Sequence, residues 1–318
     1  MTHTRSLAGV LVALALATAA CSGTGSSTSD EVAPPEAAPS YAGLPADVDY
    51  VALGDSFTAG PLIGTMRTDP QGCLRSRNNY PAFLAGWLDV ASYTDVSCSA
   101  AVTSDLYGSQ SLIDGGTAGP QLDALSEDTD LVTLGIGGND FGIYSGLLAC
   151  QGEVTQGAGT CAVDALRADA GKVRGNIAKA VRRIRDAAPE STVYVVGYPD
   201  ILPTDGTCGA VSSVSPSILE PLTEVATALN ASLRGGAKDE GATYVDLAAV
   251  SAGHDVCAKG AAWVNGPRLR TGIAAPFHPK INGMRAVATE VFREITGEDP
   301  EVSEFADPSY SALVLNED

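Results

Sequence analysis

Positive charge is scarce in this sequence. Its 318 residues hold 19 Lys and Arg against 38 Asp and Glu, for a formal charge of -19. A surface that negative repels phosphate backbones and anionic headgroups unless a basic patch forms locally. The densest basic run, Lys179–Arg185 (KAVRRIR), carries its charges between apolar residues at helical spacing and reads as a solvated helix face, so no nucleic-acid partner is expected. Histidine is scarcer still: there are three, one of them inside the first few residues. No two cysteines form a CxxC pair, which leaves no recognisable zinc site, and no cofactor or metal is expected. Repeats of solenoid length are absent. So is any apolar run long enough to cross a bilayer, because the longest, Leu7–Ala20, stops short of about 20 residues.

That run does carry information. It follows Arg5 and ends in small residues before Cys21, the layout of an export signal over residues 1–20. Cys21, directly after Ala19 and Ala20, resembles the lipid-modified cysteine of bacterial lipoproteins, with plain secretion as the alternative. Residues 21–46, rich in Ser, Thr, Gly, Pro and acid, then read as a tether that cannot build a core. A folded domain is expected over 47–297 and an acidic tail over 298–318. The expectation is an exported chain held at the cell envelope by a lipid anchor, or free outside the cell, working as a monomer.

With Cys21 set aside, six cysteines remain. An even number in an exported chain reads as three disulfides. Several pairings are open, and the sequential one, Cys73–Cys98, Cys150–Cys161 and Cys208–Cys257, is the simplest.

Short β-branched runs alternate with helical patterns along the rest of the chain. Tyr50–Leu53, Tyr93–Cys98, Asp130–Ile136, Thr192–Val196 and Thr243–Leu247 read as strands. Asn79–Leu88, Val163–Ala188, Pro221–Leu233 (stopped by Gly235-Gly236) and Pro279–Phe292 read as helices, the last with proline in its first turn. The alternation predicts a single α/β domain, a three-layer α/β/α sandwich around a mostly parallel five-stranded sheet.

In such folds reactive groups gather beyond the carboxyl ends of the strands. Gly54-Asp55-Ser56-Phe57 follows the first strand, Gly135-Ile-Gly-Gly-Asn139-Asp140 the third, and His278-Pro-Lys-Ile-Asn-Gly283 precedes the last helix. A serine in a tight strand-to-helix turn exposes its hydroxyl, and an Asn amide among glycines is free to donate to an anion. Asp55 and Asp140 are expected to brace their own turns, and His254, beside Asp255 in a loop, to be a surface residue.

Taken together, YVALGDSFTAG, GIGGND and HPKINGMRAVA resemble the SGNH hydrolases, the GDSL-type esterases and lipases, and are most similar to their secreted three-disulfide actinobacterial branch. The resemblance spans about residues 48–295 and implies a flavodoxin-like sheet. It also implies Ser56 as nucleophile, His278 as general base, and Asn139 and the Ser56 N–H as oxyanion donors. The backbone donor of the family's second block falls on Ala100, where relatives carry glycine. The aspartate that many members place three residues before the histidine is here Ala275. A Ser–His dyad follows, with a backbone carbonyl at Ala275 expected to orient His278. The expected substrate is a lipid or simple acyl ester; the alternatives are a cell-envelope carbohydrate O-deacetylase and an inactive surface binding protein. Leu62, Ile63, Leu147 and Leu148, read as loop residues near these motifs, tilt the reading toward acyl chains.

Overall fold

Five runs of β-branched and aromatic residues pair side by side in one sheet. The computed structural model describes residues 41–301 apart from 42, 157–160, 205, 213 and 215. The expected export signal, Cys21 and most of the tether and acidic tail lie outside the described residues.

In chain order the elements are β1 (Asp49–Gly54), α1 (Ser56–Ala59), α2 (Tyr80–Leu88), β2 (Ser92–Asp95), β3 (Gln110–Ser111), β4 (Thr117–Ala118), β5 (Leu131–Gly135), α3 (Ile143–Gln156), α4 (Val163–Ala187), β6 (Thr192–Val196), α5 (Pro216–Asp239), β7 (Thr243–Val245), α6 (Leu247–Val250) and α7 (Ile281–Thr296). The sheet runs β2-β1-β5-β6-β7 with every pairing parallel, and β3–β4 is a separate antiparallel pair.

Successive strand residues point to opposite faces, so each strand feeds two cores. Val51, Leu53, Val132, Leu134, Val193 and Val195 pack with Val173, Ile177, Val181 and Ile184 of α4 and with Val225 and Leu233 of α5. On the other face Tyr50, Ala52, Leu131, Tyr194 and Val196 meet Phe83 and Leu84 of α2 and Met284, Val287 and Val291 of α7. This is the expected three-layer arrangement.

Three differences from the sequence reading concern the helices. First, α5 begins earlier than expected and runs straight through Gly235-Gly236. A Cβ on Gly236 would lie 2.7 Å from the Arg174 carbonyl oxygen and from Ile177 Cβ, so the glycines let α4 and α5 approach closely instead of ending the helix. Second, α7 begins at Ile281 with Lys280 as its N-cap, which leaves Pro279 outside the first turn. Third, α3 was not expected; Leu147 and Leu148 belong to it, whereas Ile63 is fully buried core.

The disulfides are Cys73–Cys98, Cys150–Cys161 and Cys208–Cys257, closing 25, 11 and 49 residues of chain. In the chain-entropy picture loops of this size contribute about 3–4 kcal/mol each. The last two anchor a third apolar cluster in which Val211, Val214, Leu222, Val256, Val264 and Phe277 pack with Cys150. That cluster fixes the segment before α7 against α3 and α5.

From β1 the chain crosses to β2 on one side and later returns to β5 on the other. The crevice outside the carboxyl ends of β1 and β5 is therefore a topological switch point, where open α/β sheets bind ligands.

Candidate active site

Gly54 and Gly135 sit opposite each other at the ends of β1 and β5. The turn beyond them is so tight that a Cβ on Gly54 would fall 2.2 Å from Thr58 Oγ1. Asp55 N–H donates to Gly135 O at 2.9 Å, and the Asp55 carboxylate accepts from Phe57 N–H at 2.9 Å, capping α1. Ser56 is thus the first residue of a short helix with its hydroxyl aimed into the crevice.

His278 comes to it from the loop before α7, 222 residues away in sequence. Its Nε2 lies 2.8 Å from Ser56 Oγ, and both residues are nearly buried. The other ring nitrogen, Nδ1, lies 2.7 Å from the Pro276 carbonyl oxygen. A carbonyl only accepts, so Nδ1 carries the proton and Nε2 is left with the lone pair that faces the serine hydroxyl. The expected acceptor, Ala275, is corrected to Pro276. His278 N–H donates back to Ala275 O at 3.2 Å, closing a turn in which Phe277 takes the left-handed conformation (φ 57), and Asn265 Nδ2 donates to Ala275 O at 3.3 Å. With Ala275 O spent inside the turn, the next carbonyl faces the ring.

A residue that the sequence did not single out completes this arrangement. The Tyr144 hydroxyl, on α3, lies 3.2 Å from His278 Nδ1, 3.2 Å from Pro276 O and 3.4 Å from Phe277 O. Phe57 covers the imidazole at a ring separation of 4.9 Å. Burial pushes His278 down to about 4, with the Pro276 hydrogen bond opposing. The imidazole is accordingly neutral at pH 7, the form a base requires.

Tyr198 ties the two strand-end turns together. Its hydroxyl accepts from Gly138 N–H at 2.7 Å and donates to Asp55 Oδ2 at 2.5 Å. Burial pushes Asp55 up to about 7, while the bonds from Tyr198 and Phe57 N–H pull the other way. Asp140 braces its own side of the crevice by accepting from Thr103 N–H (2.8 Å), Thr103 Oγ1 (2.6 Å) and Asn176 Nδ2 (2.7 Å).

Asn139 follows the glycines of the second motif. One amide hydrogen is held by Ala101 O at 3.0 Å, which leaves the second for a ligand. Among the described residues neither Ser56 N–H nor Ala100 N–H has a protein acceptor. Ala100 is held at φ 66, a left-handed conformation that costs a non-glycine residue about 1 kcal/mol or more. Ala100→Gly is expected to raise stability by about 0.5–1 kcal/mol, read as a higher urea midpoint; an unchanged midpoint would show that the strain is not there.

Beside Ser56 and Asn139 lies a small pocket with a mainly apolar wall that includes Phe57, Ile143, Leu147 and Leu229. His254 is elsewhere in the loop structure, stacked on Trp263 at 4.4 Å with Nδ1 held near Ala261 O. Among the described residues no group of three His, Cys, Asp or Glu could hold a metal ion.

The family model described as GDSL-like Lipase/Acylhydrolase matches residues 52–286. "Lipase 2" of Streptomyces coelicolor is 38% identical over 254 residues, covering 76% of this chain and 83% of that protein. A Streptomyces rimosus "Lipase" is 30% identical over 239 residues, covering 74% and 82%. Among solved structures, phospholipase A1 from Streptomyces albidoflavus aligns with TM-score 0.65 at 29% identity, covering 78% of this chain and 98% of that one. The extracellular lipase of Streptomyces rimosus aligns with TM-score 0.67 at 27% identity, covering 78% and 100%. A family match that runs from inside β1 into α7, joined to relatives of this identity and coverage, makes the chain a member of the GDSL-like lipase/acylhydrolase family and a carboxylic ester hydrolase.

Proposed function

We propose that the protein cleaves carboxylic esters by two-step acyl transfer, with Ser56 as nucleophile and His278 as general base. The observation that carries this reading is the 2.8 Å contact between Ser56 Oγ and His278 Nε2, with Nδ1 held on Pro276 O. Ser56 Oγ attacks the ester carbonyl carbon while its proton passes to Nε2. The tetrahedral oxyanion is held by the N–H groups of Ser56 and Ala100 and by the free amide hydrogen of Asn139. The imidazolium then protonates the leaving alkoxide, and the acyl group stays on Ser56. In the second half His278 takes a proton from water, hydroxide adds to the acyl carbon, and the proton returns to Ser56 Oγ as the acid departs.

The Pro276 carbonyl and the Tyr144 hydroxyl take the place of a triad carboxylate. Both orient the ring, and their dipoles favour the imidazolium that forms, though less strongly than a full negative charge. The apolar cavity beside Ser56 suits an acyl chain and offers few partners to sugar hydroxyls, which supports the lipid or simple-ester reading over the carbohydrate O-deacetylase. The substrate is therefore an acyl ester or lipid, and the relatives named lipases and the phospholipase A1 are consistent with it.

Three disulfides suit an oxidising compartment and an exported chain. The reading we favour has residues 1–20 as the export signal, Cys21 as the lipidated residue, 21–46 as tether to a monomeric hydrolase domain over 47–297, and 298–318 as an acidic tail.

The test is turnover of p-nitrophenyl esters from acetyl to palmitoyl by the folded, oxidised protein. Turnover that favours longer acyl groups is expected. A preference confined to acetyl would point to the deacetylase, and no turnover of any ester would leave a binding protein.

A further inference from the structure

The cavity beside Ser56 does not end there. A second, larger one opens between α3, α5 and the segment Asp200–Thr204 that follows β6. The two share the same four residues: Tyr144 and Leu147 from α3, Ile201 from that segment, and Ala226 from α5. The two therefore adjoin, and these four side chains are the neck at which one chamber would open into the other.

The chambers differ in chemistry. The inner one is walled by aromatic and aliphatic groups around Ser56. The outer one is lined by Leu202, Leu222 and Phe277 together with Asp200, three threonines and the exposed Leu148. Neither chamber is lined by a cationic side chain. An anionic headgroup would find no cation to pair with, and the Asp200 carboxylate repels it. An alkyl chain has no such demand and gains from leaving water along the whole length.

Direction follows from the proton. His278 lines neither chamber, although its Nε2 reaches Ser56 Oγ. The leaving alkoxide takes its proton from Nε2, so the alcohol departs on the histidine side. Ser56 lines the inner chamber and His278 does not, so the acyl group, fixed to Ser56 Oγ, is the half of the substrate that the channel is placed to take.

We propose that the acyl chain of the substrate runs from Ser56 through this neck into the outer chamber, and that Ala226 sets the chain length the enzyme accepts. This rests on the acyl-transfer reading above. Ala226, from α5, is the smallest side chain at the neck, where Leu147 comes from α3. A large side chain there closes the outer chamber and leaves the inner one open. Each methylene drawn from water is worth about fourfold in kcat/KM, as long as the channel has room for it.

The experiment compares kcat/KM for p-nitrophenyl acetate and palmitate in the oxidised wild type, in Ala226→Trp and in Leu147→Trp, which fills the neck from α3 instead of α5. The palmitate-to-acetate ratio is expected to fall by about 100-fold or more in each variant that melts cooperatively. A ratio that stays at the wild-type value in such a variant overturns the proposal, because the long chain then lies elsewhere. A wild type that prefers acetate overturns it too, while leaving ester hydrolysis intact. Complete absence of ester turnover in the wild type fails the acyl-transfer reading itself, a result the ratio cannot imitate.

Discussion

Ser56→Ala and His278→Ala should each lower kcat on a p-nitrophenyl ester by about 10⁴- to 10⁶-fold, and the double variant should be no slower than the slower single one. The two side chains act as one unit. Without the imidazole the Ser56 hydroxyl keeps its proton and is a poor nucleophile; without the hydroxyl the imidazole has nothing to activate. What survives is the rate due to the oxyanion donors and to binding, which both single variants retain. Steady-state kinetics checks this, with KM expected to move little because neither side chain lines the acyl channel beyond its first atoms. Additive losses would mean that the pair does not work together. The wild type should also show a specific pH dependence. His278 must be neutral to accept the serine proton, and burial has pushed it down to about 4. The sign is therefore fixed: kcat/KM is lost as pH falls through about 4 and is flat above it until some other group intervenes. His278 itself titrating near 6.5, the ordinary histidine value, would contradict a buried base.

Asn139→Ala carries the second large effect. One oxyanion donor in a water-poor site is worth about 10²- to 10³-fold in kcat, with little change in KM, because the bond strengthens only as the carbonyl oxygen becomes anionic. The residue also donates to Ala101 O, so part of any loss could come from a loosened loop. Stability separates the two: losing that half-buried bond costs about 1 kcal/mol, read in urea unfolding. A kcat drop below tenfold in a stably folded variant would take Asn139 out of the oxyanion site and leave the backbone N–H groups of Ser56 and Ala100 to act alone.

The sheet and the three motifs were legible because their causes are local. Tyr50–Leu53 and Thr192–Val196 are short, apolar and bounded by turn residues, and chemistry in this architecture must stand just past such strands. What escaped was what depends on distant packing. Gly235-Gly236 reads as a helix stop from its neighbours alone, yet serves the contact with Arg174 and Ile177. The choice between Ala275 and Pro276 as the histidine's acceptor turns on one left-handed residue, Phe277, and no composition rule announces it. Tyr144 and Tyr198 meet His278 and Asp55 from 134 and 143 residues away, and each is one tyrosine among ten in the sequence. Helix α3, with Gly146 and Gly152 and a mixed polar face, lacks the periodic stripe that made α4 evident.

The most direct test of the central claim is covalent capture. A fluorophosphonate transfers its phosphonyl group to an activated serine Oγ with loss of fluoride, and peptide mass mapping locates the added mass. Label is expected on Ser56 alone in the wild type, with labelling slowed by several orders of magnitude in His278→Ala. Label on a different residue, or an unchanged rate without His278, would contradict the assignment of Ser56 as a nucleophile activated by His278.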